Sequence, residues 1–291
     1  MGNLMAKRDY EIDVVMLTKN SNKPWFKRVL TAIKKEIPVH HFIVVDGYST
    51  DGTIGIVREL FGSKVVVIKT LSPLGCARYY GMRVVDTEWF AFIDSDVEIL
   101  PGWFKSALKY MSNPRVYGIQ GLYKVYKENA KACHIKYVQP VISPKENLNV
   151  KNIIIHGIVK FYGADTAHVL LRRDVLNLIN PTFICSLDCG EDAYIAWKIV
   201  EAGFLYIKVQ ELQAIHYTSS KINFNKMLFR SFNYNGIFYA IPFKAYILSN
   251  LLRFLSSLFK RKPETLSYLI GLAGGPLSWI KTRRLMKYVG A

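Results

Sequence analysis

The chain has few cysteines, few acidic residues and no apolar run long enough to cross a bilayer. Its four cysteines (Cys76, Cys133, Cys185, Cys189) are too few and too scattered for a disulfide framework. Only Cys185 and Cys189 are close in sequence, and no Cys-x-x-Cys pair supports a zinc site. Reduced, buried thiols in a cytosolic protein are the expectation. The N-terminus has no signal-peptide core, because Lys7, Arg8, Asp9, Glu11 and Asp13 interrupt it. Met1-Gly2 opens like a myristoylation site, but position 6 is Ala rather than Ser or Thr. The stretch from Thr265 to Ile280 carries no charge but is broken by Gly274-Gly275-Pro276, and it falls short of the ~20 residues a spanning helix needs. A protein on the cytoplasmic side is expected.

Acid is scarce relative to base, with 22 Asp and Glu against 39 Lys and Arg, and the imbalance is uneven. From Lys221 onward there are twelve basic residues and a single acidic one, Glu264, interleaved with Leu, Ile, Phe and Tyr. Basic charge mixed with apolar surface favours anionic lipid over nucleic acid as a partner. Half of the residues are hydrophobic, which excludes global disorder and provides for a large core. The length of 291 residues suits one large α/β domain with an appendage.

Apolar runs and helical periodicity alternate along the first hundred residues. Strands are predicted at 12–18, 41–45, 64–69 and 89–93, and helices at 23–37, 53–61 and 75–86. This alternation implies right-handed βαβ units and a mostly parallel sheet. Farther on, a helix is predicted at 103–111 and strands at 116–125, 153–158, 168–171, 205–209 and 212–216. A helix is expected at 192–202, and Gln139 to Lys151 reads as a surface loop. The segment Ala245 to Lys260 is amphipathic: Leu248, Leu251, Leu252, Leu255, Leu258 and Phe259 share one face. The domain reading is therefore one α/β domain over 1–222, in two halves at about 10–100 and 101–222. Residues 223–291 form a basic helical tail that lies on the membrane, or alternatively packs on the enzyme or a second subunit.

The most informative stretch is Trp89-Phe90-Ala91-Phe92-Ile93-Asp94-Ser95-Asp96, an apolar strand ending in two carboxylates one residue apart. In extended chain such residues face the same side, and the carboxyl edge of a sheet is where α/β proteins bind ligands. Two oxygen ligands there suit Mg²⁺ or Mn²⁺. Alone the motif is weak, and an acidic turn explains it equally well. In chain order it is accompanied by Leu17-Thr18-Lys19-Asn20, by Asp46-Gly47-Tyr48-Ser49-Thr50-Asp51-Gly52-Thr53, and by Gly75-Cys76-Ala77-Arg78 with Tyr80-Gly81. Gly190-Glu191-Asp192 and His216 follow. This order resembles the family-2 inverting glycosyltransferases with a GT-A fold, over roughly residues 12 to 217. Asp46 to Thr53 is similar to the family's DGSTDGT with Tyr48 where Ser is usual, and the Arg78 segment is similar to G-x-ARN-x-G with Tyr80 in place of Asn.

The resemblance implies a GT-A (Rossmann-like) sheet flanked by helices and a nucleotide-sugar donor. It makes Asp46 the base-binding aspartate, with Thr18 near the same nucleoside. It makes Asp94-Ser95-Asp96 donor-binding, with Asp96 on the metal and Asp94 on the ribose or a metal-bound water. His216 becomes a further metal ligand, Asp192 the base that takes the acceptor's proton, and Glu191 the residue that braces its turn. Arg78 is expected to pair with phosphate or orient a carboxylate, and Arg230 to lie near the donor phosphates. Arg172-Arg173 either bounds the acceptor cleft or merely starts the next helix. Asp51 is read as a helix-start residue. Beside this stands the plain reading of each residue: a cap, a surface arginine, a satisfied histidine. The expected reaction is inverting, metal-dependent transfer to a lipid-linked acceptor. A sugar nucleotidyltransferase is disfavoured because no glycine follows the first strand, and a catalytically silent membrane-binding module is the remaining alternative.

Overall fold

The computed structural model describes residues 10–127 and 164–218, together with the helical positions Leu251, Leu255, Leu258 and Ile280. The expected loop at 139–151, the strand at 153–158, Arg230 and nearly all of the tail lie outside the described residues.

Eight strands form one sheet in the order β3-β2-β1-β4-β7-β6-β8-β5. The first half is parallel: β1 (Ile12–Thr18) lies between β2 (Val39–Asp46) and β4 (Trp89–Ile93), and β3 (Val65–Lys69) edges β2. Helices α1 (Phe26–Glu36), α2 (Thr53–Phe61) and α3 (Leu74–Arg83) supply the crossovers. The near-continuous apolar strands are those of a sheet covered on both faces. One core layer packs Phe26, Val29, Leu30 and Ile33 against β1 and β2. The other packs Ala77 and Met82 of α3 with Val15, Val45, Phe90 and Phe92. Gly81 is required there, because a Cβ would fall 2.4 Å from Val15 Cγ1.

The second half is mixed. β6 (Val116–Lys127) follows α4 (Trp103–Met111) and pairs antiparallel with β7 (His168–Arg172) and parallel with β8 (Leu205–Thr218). β7 in turn runs antiparallel to β4, which places His168 opposite Ile93. Helices α5 (Pro181–Cys185) and α6 (Glu191–Glu201) complete this half. The two strands expected at 205–209 and 212–216 are one strand, interrupted by a register shift where Gln120 pairs with Lys208 but Leu122 with Gln213. The short β5 (Val97–Ile99), unrecognised in sequence, pairs antiparallel with β8 and sets Val97 opposite His216. The mixed α/β sheet flanked by helices is the GT-A class expected, with its parallel character confined mainly to the first half.

The thiol expectation is corrected. Cys76 at the start of α3 and Cys185 at the end of α5 are joined as a disulfide, 109 residues apart in sequence, while Cys189 is buried outside that bond. Gly75 explains the approach: its N–H donates to Leu187 O at 2.9 Å, and a Cβ there would meet Ile184 O at 2.2 Å. Among the described residues no helix is long and apolar enough to cross a membrane.

Candidate active site

The carboxyl ends of β1, β2 and β4 form one edge, and two loops are laced across it. Thr18 Oγ1 donates to Asp46 Oδ1 at 2.7 Å, and Ser49 donates to the same carboxylate from both its N–H and its hydroxyl. Asp46 is thus buried and held by three donors. Asn20 and Tyr48, one in each loop, are the non-glycine residues with positive φ among those described. Such backbone conformations cost about 1 kcal/mol or more and gather at functional sites. Tyr48 is half exposed, and Lys69 Nζ lies 5.9 Å from its ring centroid. Asp51 accepts from Asn22 N–H and from the Thr53 N–H and hydroxyl, so it serves the start of α2. A groove of about 510 Å³ opens between β3 and α3, lined by Lys69, Thr70, Tyr80 and Arg83; none of Asp94, Asp96 or Asp192 lines it.

At the end of β4 the chain turns tightly. Asp94 N–H donates to Ala167 O, Val97 N–H to Asp94 O, and Tyr217 N–H to Asp96 O. Ser95 Oγ bonds Ser21 Oγ at 3.0 Å, tying this turn to the first loop. Through the β5–β8 pairing, His216 Nε2 comes to 3.4 Å from Asp96 Oδ2. Desolvation pulls the His216 imidazole down, but hydrogen bonding to Asp96 and the charges of Asp96, Asp94 and Asp165 outweigh it and raise its pKa. Two carboxylates and an imidazole at the open edge are a suitable donor set for Mn²⁺ or Mg²⁺.

Arg78 joins this turn to the start of α6. Its Nη2 pairs with Asp94 Oδ1 at 3.1 Å and its Nε with Glu191 Oε1 at 3.0 Å. The guanidinium is buried over the Phe92 ring, and the two carboxylates raise its pKa further against the cost of burial. Nη1 is buried with no hydrogen-bond partner among the described residues. Arg78 therefore orients carboxylates, the second of the two roles weighed for it. Gly190 takes φ 82 and lets the chain enter α6 sharply. The buried Glu191 is anchored on Arg78, leaving the next residue, Asp192, on the partly open side. Burial, followed by the charges of Glu191 and Asp165, pushes the Asp192 carboxyl well above the usual carboxylate range.

Several residues of this site were not singled out in sequence. Asp165 accepts from Tyr123 OH at 2.8 Å and from Ala167 N–H at 2.7 Å, and its own N–H donates to Gln120 Oε1. Its charge acts on Asp94, Asp192, His216 and Lys208. Lys208 is buried, and desolvation lowers its pKa to about 8 against the opposing pull of Asp165 and Asp192. His168 accepts from Trp103 Nε1 at 3.1 Å, and burial depresses it to about 4, so it is a neutral core histidine. The signal available in sequence was weak: a lone Asp just before a strand. Arg172 stacks on Trp89 and Tyr117 and pairs with Glu88 at the opposite end of β4, away from the donor edge.

Residues 13–165 match the model of glycosyl transferase family 2. The chain belongs to that family. Among solved structures it is similar to S. aureus TarS 1-349 in complex with UDP-GlcNAc (18% identity, 79% of this chain and 66% of that one, TM-score 0.56). It is also similar to a mannosyltransferase from Pyrobaculum calidifontis in complex with GDP-Man and Mn²⁺ (13% identity, 97% and 76%, TM-score 0.54). A third is GalNAc-T7 with UDP, GalNAc and Mn²⁺ (15% identity, 73% and 44%, TM-score 0.55). The chain spans less than two thirds of the length of TarS 1-349 and of GalNAc-T7. No curated protein matches it by sequence. Family membership sets aside the nucleotidyltransferase alternative.

Proposed function

We propose that the chain transfers a sugar, with inversion, from a nucleotide-sugar to a lipid-linked acceptor at an anionic membrane surface. The observation that carries this reading is the chain of contacts from Asp96–His216 through Asp94 and Arg78 to Glu191 and Asp192. It links the carboxylates at the end of β4, through one buried guanidinium, to the raised carboxyl at the start of α6. Asp96 and His216, with Asp94, would hold a divalent cation, which when bound neutralises charge on the departing nucleoside diphosphate. The loops at Thr18, Asp46 and Tyr48 seat the nucleoside.

Inversion by single displacement needs one base as the acceptor oxygen attacks. Asp192 suits that role because its raised pKa brings it nearer to working pH, where a general base is most effective. Glu191 and Arg78 position it. Asp165, held by the Tyr123 hydroxyl, adds to the charge that keeps Asp192 basic.

The membrane reading rests on the tail. Leu251, Leu255 and Leu258 recur at helical spacing with exposed side chains, amid the basic residues of the last seventy positions. A surface-bound enzyme meets a lipid acceptor in two dimensions. Packing of two tails into a dimer is the competing use of the same face.

The test is binding and hydrolysis across UDP-, GDP- and dTDP-sugars with Mn²⁺ or Mg²⁺, in wild type and Asp96→Ala. One donor bound with metal, and lost in the variant, is expected. No binding to any donor overturns the reading. Anionic vesicles should pull down the full chain but not a Leu251→Ser/Leu255→Ser/Leu258→Ser variant. Equal sedimentation of the two would refute the lipid-surface part.

A further inference from the structure

At the opposite edge of the sheet, where β1 and β2 begin and α3 hands over to β4, a second cluster gathers two histidines and two aspartates. Ile12 pairs with Val39 and Val14 with Phe42, so β2 uses one residue more than β1 between these pairs. That extra residue is a bulge at His40-His41, uncommon in a parallel pair, and it breaks the alternation that would send consecutive side chains to opposite faces. The two imidazole centroids come within 4.1 Å. Asp86, just before β4, faces both rings, with His40 Nε2 at 3.4 Å and His41 Nδ1 at 3.6 Å from its Oδ1. Asp13 Oδ1 lies 3.5 Å from His41 Nδ1.

Asp13 supplies an observation independent of this gathering. Its side chain is fully buried, and among the described residues neither lysine nor arginine pairs with it. Its oxygens accept N–H groups of His41, Asp86 and Thr87, which fix the carboxylate but add no positive charge. A buried carboxylate calls for a cation, and the cluster is where this one is aimed.

We propose that Asp13, His40, His41 and Asp86 form a tetrahedral site for a divalent cation of the zinc class. One ligand atom from each of the four residues lies within 4.8 Å of all the others. Ligands about 2.0 Å from a tetrahedral zinc stand about 3.3 Å apart, close to the 3.4–3.6 Å separations between the imidazole and carboxylate atoms. Two imidazoles with two carboxylates favour Zn²⁺ and its transition-metal neighbours over Mg²⁺. His40 also presents Nδ1 to Glu11 Oε2 at 3.5 Å, the carboxylate–histidine arrangement that orients a ligating ring. The rings and Asp86 are partly exposed, which leaves an entry path, while Asp13 is the rigid ligand. A bound ion would clamp the starts of β1 and β2 to the α3–β4 connection. It draws on no residue of the donor site.

The test is a Co²⁺ titration of the metal-free full chain, followed by the intense visible bands of tetrahedral cobalt, then displacement by Zn²⁺. Wild type and Asp96→Ala should both develop the bands. His40→Ala and Asp86→Asn, both at the exposed rim, should lose them and bind Zn²⁺ at least ~100-fold more weakly, and Glu11→Gln about 10-fold more weakly. Circular dichroism confirms that each variant is folded. Absence of the bands in wild type, their persistence in His40→Ala and Asp86→Asn, or their loss in Asp96→Ala would each overturn the proposal. The last outcome would place the ion in the donor site instead.

Discussion

Replacing Arg78 by methionine keeps the volume and removes the charge that holds two carboxylates. Breaking a buried ion pair by removing one partner costs about 3–5 kcal/mol, because the other charge is left uncompensated. Here two charges are left, but unequally. The Glu191 side chain is 4% exposed and has no recourse to water, whereas Asp94 is 31% exposed and is partly solvated. Most of the loss should therefore come from Glu191. The expectation is about 4 kcal/mol at pH 7.5, a shift of more than 1 M in the urea midpoint at a slope of about 3 kcal/mol per molar. Fluorescence of the buried Trp89 and Trp103 reports the transition.

The pH dependence has a definite sign. Burial already holds the Asp94 carboxyl above the usual carboxylate range, and removing the opposing Arg78 charge raises it further. The ionised form is then what costs stability, so the deficit is full above the raised pKa and shrinks as pH falls through it. Adding Glu191→Gln should recover more than half of the loss, and adding Asp94→Asn clearly less. Turnover should stay low in every combination, since Asp192 loses its anchored neighbour. A loss below about 1 kcal/mol, a deficit independent of pH, or equal rescue by the two second substitutions would refute this account of Arg78.

The acid limb of the pH–rate profile should lie well above the usual carboxylate range, because Asp192 must be ionised to accept a proton and its pKa is raised by burial first and by Glu191 and Asp165 next. Asp165→Asn should move that limb to lower pH, and Asp192→Asn should abolish turnover while donor binding persists; an unmoved limb in Asp165→Asn would refute the coupling. Gly81→Ala forces a Cβ to within 2.4 Å of Val15 and 3.2 Å of Val45, and should cost about 1–3 kcal/mol in urea unfolding through overpacking. Breaking Cys76–Cys185 reopens a loop of 109 residues and should lower stability by up to about 5 kcal/mol. Equal midpoints for wild type and Cys76→Ser/Cys185→Ser under oxidising conditions would contradict the bond's contribution.

The parallel half of the fold was legible because its signals are local. β1, α2, β4 and α4 occupy the predicted residues, since a buried strand or an amphipathic helix is written in consecutive positions. What escaped was set by pairing. β5 has three residues and no periodicity of its own, yet its pairing with β8 is what brings His216 to Asp96. The Cys76–Cys185 bond escaped for the same reason: it joins helix ends whose closeness depends on Gly75 lying against Ile184 and Leu187. Asp165 has no motif around it, and its place is decided by where β7 enters the sheet.

Arg78 marks the boundary between what motifs and what packing determine. Its position in a Gly-x-Ala-Arg segment was visible, and both of its possible partners had been considered. Which partner it takes depends on α6 lying across the end of β4, a contact between residues 113 apart. Once there, the guanidinium cannot serve chiefly as a surface phosphate ligand, because withdrawing it would strand Glu191 without a counter-charge. The same contact explains why an acidic pair opens α6. Glu191 is buried and spent on Arg78, and Asp192 beside it is less buried, with its proton affinity raised. One carboxylate holds the helix, and the other is the base proposed above.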